Sequence, residues 1–321
     1  MNYLVTGGAG FIGSHIAAHL CSLGADVRVL DNFSTGKREN LEELPVTLIE
    51  GDIRDAACVA AAVDGVDTIF HQAALCSVAR SMLDPASTHD VNVTGTLTLL
   101  DAARKAGTRR FVMASSSSVY GDSDVFPKHE DMKTDPMSPY AVSKLICEFY
   151  CQLYWKACGL DTVARRYFNV FGPRQDPSSE YSAVIPRFVQ AMVQGVSPHI
   201  YGDGMQSRDF TFVDDVVQAN IAAATSSYSP GQIMNIACGN RWSLIDLINS
   251  LEKVLQRQTR PVFESARHGD VRHSQASIHK AQTMIGFTPE VMFDEGLRQT
   301  VDWFKAQHEP QHQRVAARAA G

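Results

Sequence analysis

Residues 2–22, NYLVTGGAGFIGSHIAAHLCS, decide the fold of this protein. The apolar run 2–6 predicts a β-strand, and the apolar spacing after it predicts a helix. Between them, Gly7, Gly10 and Gly13 allow a tight turn whose backbone can approach a pyrophosphate at the helix N-terminus. The order of strand, glycine turn and helix is typical of a dinucleotide-binding βα unit.

The rest of the chain extends this pattern. Helices are predicted near residues 87–107 and 139–159. Further strands are predicted at 26–31, 46–52, 66–74, 108–116 and 161–172. Strands that alternate with helices and are apolar throughout indicate an α/β fold, with a doubly wound parallel sheet of Rossmann type.

Loops and short helices dominate from about Asp176 onward, which predicts a smaller mixed α/β portion that covers the substrate. We therefore expect a dinucleotide-binding domain over 1–175, with later strands added from the C-terminal half. A second, smaller portion is expected over 176–308 and a flexible tail over 309–321.

Composition excludes several classes of protein. The 321 residues carry 29 Lys and Arg against 35 Asp and Glu, a formal net charge of −6, which argues against nucleic-acid binding. No apolar run is long enough for a membrane-spanning helix, and the N-terminus lacks the basic start of a signal peptide. The seven cysteines form no CxxC pair, so we expect no metal site and a cytoplasmic location.

Asp31 predicts which dinucleotide is bound. It ends the second predicted strand, about 20 residues beyond the glycine turn, where a carboxylate hydrogen-bonds ribose hydroxyls. The same carboxylate would repel a 2′-phosphate, so the sequence favours NAD over NADP.

Tyr140 and Lys144 are candidates for acid–base chemistry. Residues four apart share one face of a helix, and an ammonium beside a phenol lowers a pKa that is ordinarily about 10. Such a tyrosine can act as a general base. A run of four serines, 115–118, ends a predicted strand, at the sheet edge where α/β proteins bind ligands.

Five segments together resemble the extended short-chain dehydrogenase/reductase family, and within it the nucleotide-sugar 4-epimerases. The resemblance extends to about Ser277. The segments are TGGAGFIG (6–13), HQAA (71–74), ASSSSVYGD (114–122), SPYAVSK (138–144) and RYFNVFGPRQ (166–175).

The resemblance implies that NAD is the cofactor and that Ser116, Tyr140 and Lys144 are the catalytic residues. Tyr140 and Lys144 also contact the cofactor. The other cofactor-binding residues that it implies are Gly7, Gly10, Phe11, Ile12, Gly13, Asp31, Asn32, Ser34, Thr35, Gly36, Asp52, Ile53, Gln72, Ala73, Ala74, Asn92, Tyr167 and Phe168.

The resemblance also implies a UDP-sugar substrate, so the portion over 176–308 is expected to be the nucleotide-sugar-binding portion. Ser274 stands where relatives restricted to plain hexoses carry tyrosine and relatives that accept N-acetyl sugars carry a small residue. We therefore expect interconversion of UDP-N-acetylglucosamine and UDP-N-acetylgalactosamine, with UDP-glucose and UDP-galactose as weaker substrates. The implied substrate-binding residues are Ser116, Ser117, Ser118, Tyr140, Asn169, Ala183, Val184, Tyr201, Arg208, Arg267, Asp270 and Ser274.

Several alternatives stay open or are set aside. Dehydratase relatives carry Asp-Glu directly after the catalytic Thr, and decarboxylase relatives carry Glu at the position of Ser117; this chain has neither. A UDP-glucuronate 4-epimerase is the second candidate, although such enzymes usually have Thr where this chain has Asn169. A non-catalytic NAD-sensing protein is the third, although such proteins typically lose the Tyr-Lys pair.

The resemblance implies a homodimer, in which helices around 92–106 and 140–157 pair into a four-helix bundle.

Overall fold

The computed structural model describes residues 1–177, 183–266 and 271–308. Its strands, in chain order, are β1 (Asn2–Thr6), β2 (Asp26–Asp31), β3 (Thr47–Glu50), β4 (Thr68–His71), β5 (Arg110–Ser116), β6 (Asp161–Tyr167), β7 (Val170–Phe171), β8 (His199–Tyr201), β9 (Ser207–Arg208), β10 (Thr211–Phe212), β11 (Ile233–Ile236), β12 (Trp242–Ser243) and β13 (Val262–Glu264). Seven of them form one parallel sheet in the order β11-β6-β5-β4-β1-β2-β3. The predicted Rossmann-type α/β fold is confirmed.

Helices cover both faces of this sheet. They are α1 (Phe11–Ser22), α2 (Ala56–Val63), α3 (Val78–Leu83), α4 (Pro85–His89), α5 (Gly95–Ala106), α6 (Pro139–Cys158), α7 (Val184–Val193), α8 (Val213–Thr225), α9 (Leu244–Leu255), α10 (His279–Ile285) and α11 (Phe293–His308). Among the described residues, no helix combines the length and apolarity needed to cross a bilayer.

The alternation of side chains along each strand divides the core into two layers. On β1, Val5 packs with residues of α1 and α8, whereas Leu4 packs with residues of α2, α5 and α6. Because both layers are buried, the central strands β1 and β4 have no exposed face, which explains their apolar runs.

The predicted helix over 87–107 is interrupted in the structure. A π-helical segment, Asp90–Thr94, separates α4 from α5. Within it, the carbonyl of Asn92 accepts hydrogen bonds from Thr96 Oγ1 at 2.5 Å and from Cys147 Sγ at 3.1 Å. Side chains that bond such a carbonyl widen the helical turn. Helical periodicity in the sequence does not reveal this interruption.

The later part of the chain builds a third layer. Helices α7, α9 and α11 pack around an aromatic cluster that includes Phe171, Phe212 and Phe293. The chain does not stay in this layer, because α8 packs on α1 and β11 pairs with β6 in the main sheet. The domain boundary between 175 and 176 stays a prediction.

Candidate active site

The glycine turn between β1 and α1 leaves no room for side chains. A Cβ on Gly13 would lie 2.1 Å from the carbonyl oxygen of Gly7, and one on Gly7 would lie 2.7 Å from the amide nitrogen of Ala73. Gly7 also has a φ of +67°, which side chains disfavour. The bare backbone here fits the close approach of a dinucleotide pyrophosphate.

A cavity opens beside this turn, at the carboxyl ends of β1, β2, β4 and β5, and we term it the glycine-turn cavity. The predicted cofactor residues that line it are Gly7, Gly10, Phe11, Ile12, Gly13, Asp31, Asn32, Ser34, Thr35, Asp52, Ile53, Gln72, Ala73, Ala74, Tyr140, Lys144 and Tyr167. Ser115 of the predicted serine run also lines it. The lining residues that sequence reasoning missed are Leu30, Gly51, Leu75, Cys76, Val91 and Ala114. Each of them lies next to a predicted residue or one position beyond it, so extending each motif by two positions would have found them.

Asp31 holds the glycine turn as well as facing the cavity. Its Oδ2 accepts the amide of Ala9 at 2.9 Å and its Oδ1 accepts the amide of Phe33 at 2.8 Å. Each carboxylate oxygen can accept further bonds, so a role toward a ribose remains compatible with this geometry. Asp31 therefore joins β2 to the turn that would hold the cofactor.

Asp52 forms the other polar edge of the same cavity. Arg54 donates to it from Nε at 2.9 Å and from Nη2 at 2.8 Å, and Asn32 Nδ2 donates at 2.9 Å. The hydrogen bonds from Arg54 hold the pKa of Asp52 well below its usual range. The carboxylate is thus fixed in position and ionised.

Three predicted cofactor residues do not line the cavity. A Cβ on Gly36 would meet Ala9 Cβ at 2.8 Å, so Gly36 permits the approach of a loop to the turn. Asn92 is buried and bonds the amide of Leu75 at 2.8 Å and its carbonyl at 3.0 Å. Phe168 is buried against Tyr120. Gly36 and Asn92 thus contact residues that line the cavity, Asp31 and Leu75, whereas Phe168 packs in a separate cluster.

Tyr140 and Lys144 lie on α6, which begins at the N-cap Ser138 with Pro139 in its first turn. Both are buried and line the glycine-turn cavity. Lys144 Nζ donates to the carbonyl of Ala114 at 2.9 Å and lies 5.9 Å from the ring centroid of Tyr140. The ammonium is therefore anchored to β5 above the tyrosine ring.

The pKa of Tyr140 differs from the sequence-based expectation. Burial raises the pKa of Tyr140 above its ordinary value, although a hydrogen bond with Ser116 lowers it. Burial also lowers the pKa of Lys144. The expected net lowering of the tyrosine pKa is wrong for the protein by itself, because desolvation of a buried phenolate outweighs one nearby ammonium.

The serine run is held by a buried carboxylate. Ser115 Oγ donates to Glu148 Oε1 at 2.5 Å, and Arg166 donates to Glu148 from Nε at 2.9 Å and Nη2 at 2.7 Å. Ser116 Oγ accepts from Ser118 Oγ at 2.9 Å. Ser116, Ser117 and Ser118 do not line the glycine-turn cavity, although Ser116 reaches it through its bond to Tyr140.

A second cavity, which we term the Arg208 cavity, is bordered by α7, β7, β8 and β9. The predicted substrate residues that line it are Asn169, Ala183, Val184, Tyr201 and Arg208. Sequence reasoning missed the other lining residues, Val170, Phe171, Ile185, Arg187, Phe188, His199, Gln206, Phe210 and Leu244. Tyr167 lines the first cavity and Asn169 the second, so both cavities border the chain at the end of β6.

The remaining predicted substrate residues lie elsewhere. Ser274 is buried and lines neither cavity, and its amide donates to the carbonyl of Ser207 at 3.0 Å, next to Arg208. Arg267 and Asp270 lie outside the described residues. Within the described ranges, no cluster of three His, Cys, Asp or Glu side chains could hold a metal ion.

Comparison with known proteins agrees with this site. A UDP-glucose 4-epimerase of Mycolicibacterium smegmatis is 38% identical over 311 residues, 95% of this chain and 99% of that protein. The solved UDP-N-acetylglucosamine 4-epimerase of Methanobrevibacter ruminantium, in complex with UDP-N-acetylmuramic acid, is 41% identical with a TM-score of 0.92, covering 95% of this chain and 98% of that one.

A third relative was solved with a cofactor. The UDP-glucuronic acid 4-epimerase of Bacillus cereus, in complex with UDP-glucuronic acid and NAD, is 32% identical with a TM-score of 0.88, covering 96% of this chain and 100% of that one. The model of the NAD dependent epimerase/dehydratase family matches residues 3–237. The chain belongs to the NAD dependent epimerase/dehydratase family, and NAD is its cofactor.

Proposed function

We propose that this NAD-dependent nucleotide-sugar 4-epimerase interconverts UDP-N-acetylglucosamine and UDP-N-acetylgalactosamine. The observation that carries the proposal is Ser274, a small residue at the position where the resemblance assigns tyrosine to relatives restricted to plain hexoses. Its backbone bond to Ser207 keeps it beside Arg208, which lines the predicted substrate cavity. The 41% identity to a UDP-N-acetylglucosamine 4-epimerase supports the same choice of sugar.

Tyr140 is the proposed general base. Its phenolate oxygen removes the proton of the sugar 4-hydroxyl, and the hydrogen bond with Ser116 orients that oxygen. The Lys144 ammonium, fixed on the carbonyl of Ala114, favours the charged form of Tyr140. When bound, NAD would supply the hydride-accepting and hydride-donating chemistry at C4 of the sugar.

The Arg208 cavity is proposed to hold the nucleotide while the sugar turns over. Arg208 supplies a guanidinium for the diphosphate and Asn169 supplies an amide, while Tyr201 offers an aromatic face to the base. Because both cavities border the chain at the end of β6, we expect a nucleotide held in the Arg208 cavity to extend its sugar toward Tyr140 in the glycine-turn cavity.

The Ser274→Tyr variant tests the choice of sugar. The larger ring is expected to suppress epimerisation of the N-acetylated pair and to spare activity on UDP-galactose, because room for the acetamido group is lost at a cost of about 1–3 kcal/mol. Product formation followed by NMR for each UDP-sugar measures the effect. Ser274→Ala is the matched control, since it stays small. Equal loss on both pairs, or no loss on either, contradicts the proposal.

UDP-glucuronate remains the second candidate substrate. An epimerase of that specificity shares the fold at 32% identity. Incubation with UDP-N-acetylglucosamine, UDP-glucose and UDP-glucuronate, with the products identified by NMR, separates the candidates. Sole turnover of UDP-glucuronate would replace the proposed substrate. A folded protein that retains NAD and turns over none of the three would support the non-catalytic alternative.

A homodimer is the proposed assembly. Helix α6 exposes Val142, Phe149 and Leu153, and the neighbouring α3 exposes Met82 and Leu83. Such an apolar surface is typical of a protein interface. Of these helices, α6 and α3 carry the exposed apolar residues of this surface, whereas α5, the other helix of the predicted bundle, contributes the half-buried Leu97. We propose that a second copy of the chain covers this surface.

Phe149→Asp is expected to convert the dimer into a monomer, because an aspartate would be buried without a partner in the interface. Light scattering after size-exclusion chromatography measures the mass. Phe263→Asp is the matched control, since Phe263 is similarly exposed on β13, away from α6. A monomeric wild-type protein, or a dimer that survives Phe149→Asp, rejects this interface.

A further inference from the structure

Arg165 is a fully buried arginine that has no hydrogen-bond partner for its guanidinium and no carboxylate partner in the described structure. It lies in the middle of β6, between Ala114 of β5 and Met234 of β11. Its side chain has no exposed surface. Within the described ranges, none of its three guanidinium nitrogens has a hydrogen-bond partner, and no carboxylate forms an ion pair with it. A guanidinium nevertheless keeps its proton in a protein interior.

The next residue, Arg166, has the carboxylate partner that Arg165 lacks. Arg166 points to the opposite face of the sheet and pairs with the buried Glu148. Glu148 also accepts the bond from Ser115, and both of these partners lie on that opposite face. Its charge is therefore committed to Arg166, and Arg165 is left as an isolated positive charge.

The position of Arg165 links it to the glycine-turn cavity. Its guanidinium carbon lies 5.7 Å from the ring centroid of Tyr167, and Tyr167 lines that cavity. The Tyr167 hydroxyl accepts from Asn220 Nδ2 at 2.9 Å and from Gln72 Nε2 at 3.3 Å, and Gln72 also lines the cavity. Arg165 thus lies directly behind the wall that carries Tyr167.

We propose that Arg165 is an electrostatic positioning residue that makes the bound cofactor easier to reduce. Tyr167 lies opposite Ser116 in the sheet, and Ser116 bonds Tyr140, so Tyr167 belongs to the end of the cavity where the nicotinamide must lie to exchange a hydride with the sugar. The nicotinamide ring is positively charged in NAD⁺ and neutral in NADH. A fixed positive charge behind the cavity wall disfavours only the charged form, and the low dielectric of the interior strengthens that effect. In an epimerase this bias favours the state in which the sugar is oxidised and the hydride is on the cofactor.

The same charge destabilises the fold, because a buried charge without a partner is costly. Removal of the charge is therefore expected to change both the stability of the fold and the ease with which the cofactor is reduced. The protein becomes more stable, and the cofactor becomes harder to reduce. An arginine with a purely structural role would not give this combination, since its removal would lower stability.

The test compares Arg165→Met with Arg165→Lys, which keeps the charge. Competition between NAD⁺ and NADH for the protein gives the ratio of their affinities. We expect Arg165→Met to shift this ratio toward NAD⁺ by about three- to tenfold. Its melting temperature should rise by about 2–4 °C. Arg165→Lys should stay within twofold of the wild-type affinity ratio.

Arg110→Met is the matched control. Arg110 is also buried, but it lies at the opposite end of β5, where it bonds the carbonyls of Ala223 and Ser226 at 3.1 Å. Its loss should lower stability and leave the affinity ratio unchanged. An unchanged ratio in Arg165→Met overturns the proposal, as does an equal shift in Arg110→Met.

The inference depends on NAD as cofactor and not on the identity of the sugar. The affinity ratio is measured without any UDP-sugar, so a wrong sugar assignment leaves this test intact. Conversely, an unchanged ratio says nothing against epimerisation of UDP-N-acetylglucosamine. The two proposals therefore fail separately.

Discussion

Replacement of Tyr140 by phenylalanine is expected to reduce turnover by about 10²–10⁴-fold, the usual contribution of a general base. The ring keeps its buried position beneath Lys144, and only the oxygen that takes the proton is lost. NAD content after purification should stay close to that of the wild type. Initial rates with UDP-N-acetylglucosamine measure the loss. Turnover within about tenfold of the wild type would remove Tyr140 from this role.

The pH dependence of turnover, compared between the wild type and Lys144→Met, gives a second test of Tyr140 as the base. Burial raises the pKa of Tyr140, so the base becomes available as pH rises and kcat/KM should increase with pH. Removal of the ammonium in Lys144→Met raises that pKa further, because a nearby positive charge favours the phenolate. The limb of the pH profile should therefore move to higher pH. A shift to lower pH would contradict the proposed arrangement.

Replacement of Glu148 by glutamine is expected to lower the free energy of unfolding by about 3–5 kcal/mol. Glu148 is fully buried and accepts hydrogen bonds from Nε and Nη2 of Arg166. A neutral amide leaves the Arg166 guanidinium buried without its counter-charge. The bond that holds Ser115 at the end of β5 is also weakened, so activity should fall together with stability.

Denaturant unfolding of the NAD-bound protein measures the change in stability. Glu295→Gln is the matched control, since Glu295 is exposed and pairs with Arg298 at the surface. Exposed ion pairs contribute about 0–1 kcal/mol, so the control should change little. A loss in Glu148→Gln no larger than that of the control would show that Arg166 is compensated in another way.

The parts of the site that lie within one local segment could be predicted from the sequence. The glycine turn needs only a strand, three glycines and a helix that follow one another in the chain. Tyr140 and Lys144 come together because four residues separate neighbours on a helix face. The alternation of strands and helices predicts the parallel sheet, and the sheet in turn brings Asp31, Ala73 and Ser115 to one edge.

Burial and pairing across the sheet were decided only by the tertiary structure. The sequence shows Arg165 and Arg166 as equivalent neighbours, but the stacking of α6 on one face of β6 gives Glu148 to Arg166 alone. The direction of the Tyr140 pKa shift likewise depends on how much water the surrounding helices exclude. Periodicity encodes which residues share a face, whereas desolvation and charge compensation depend on every element that packs against that face.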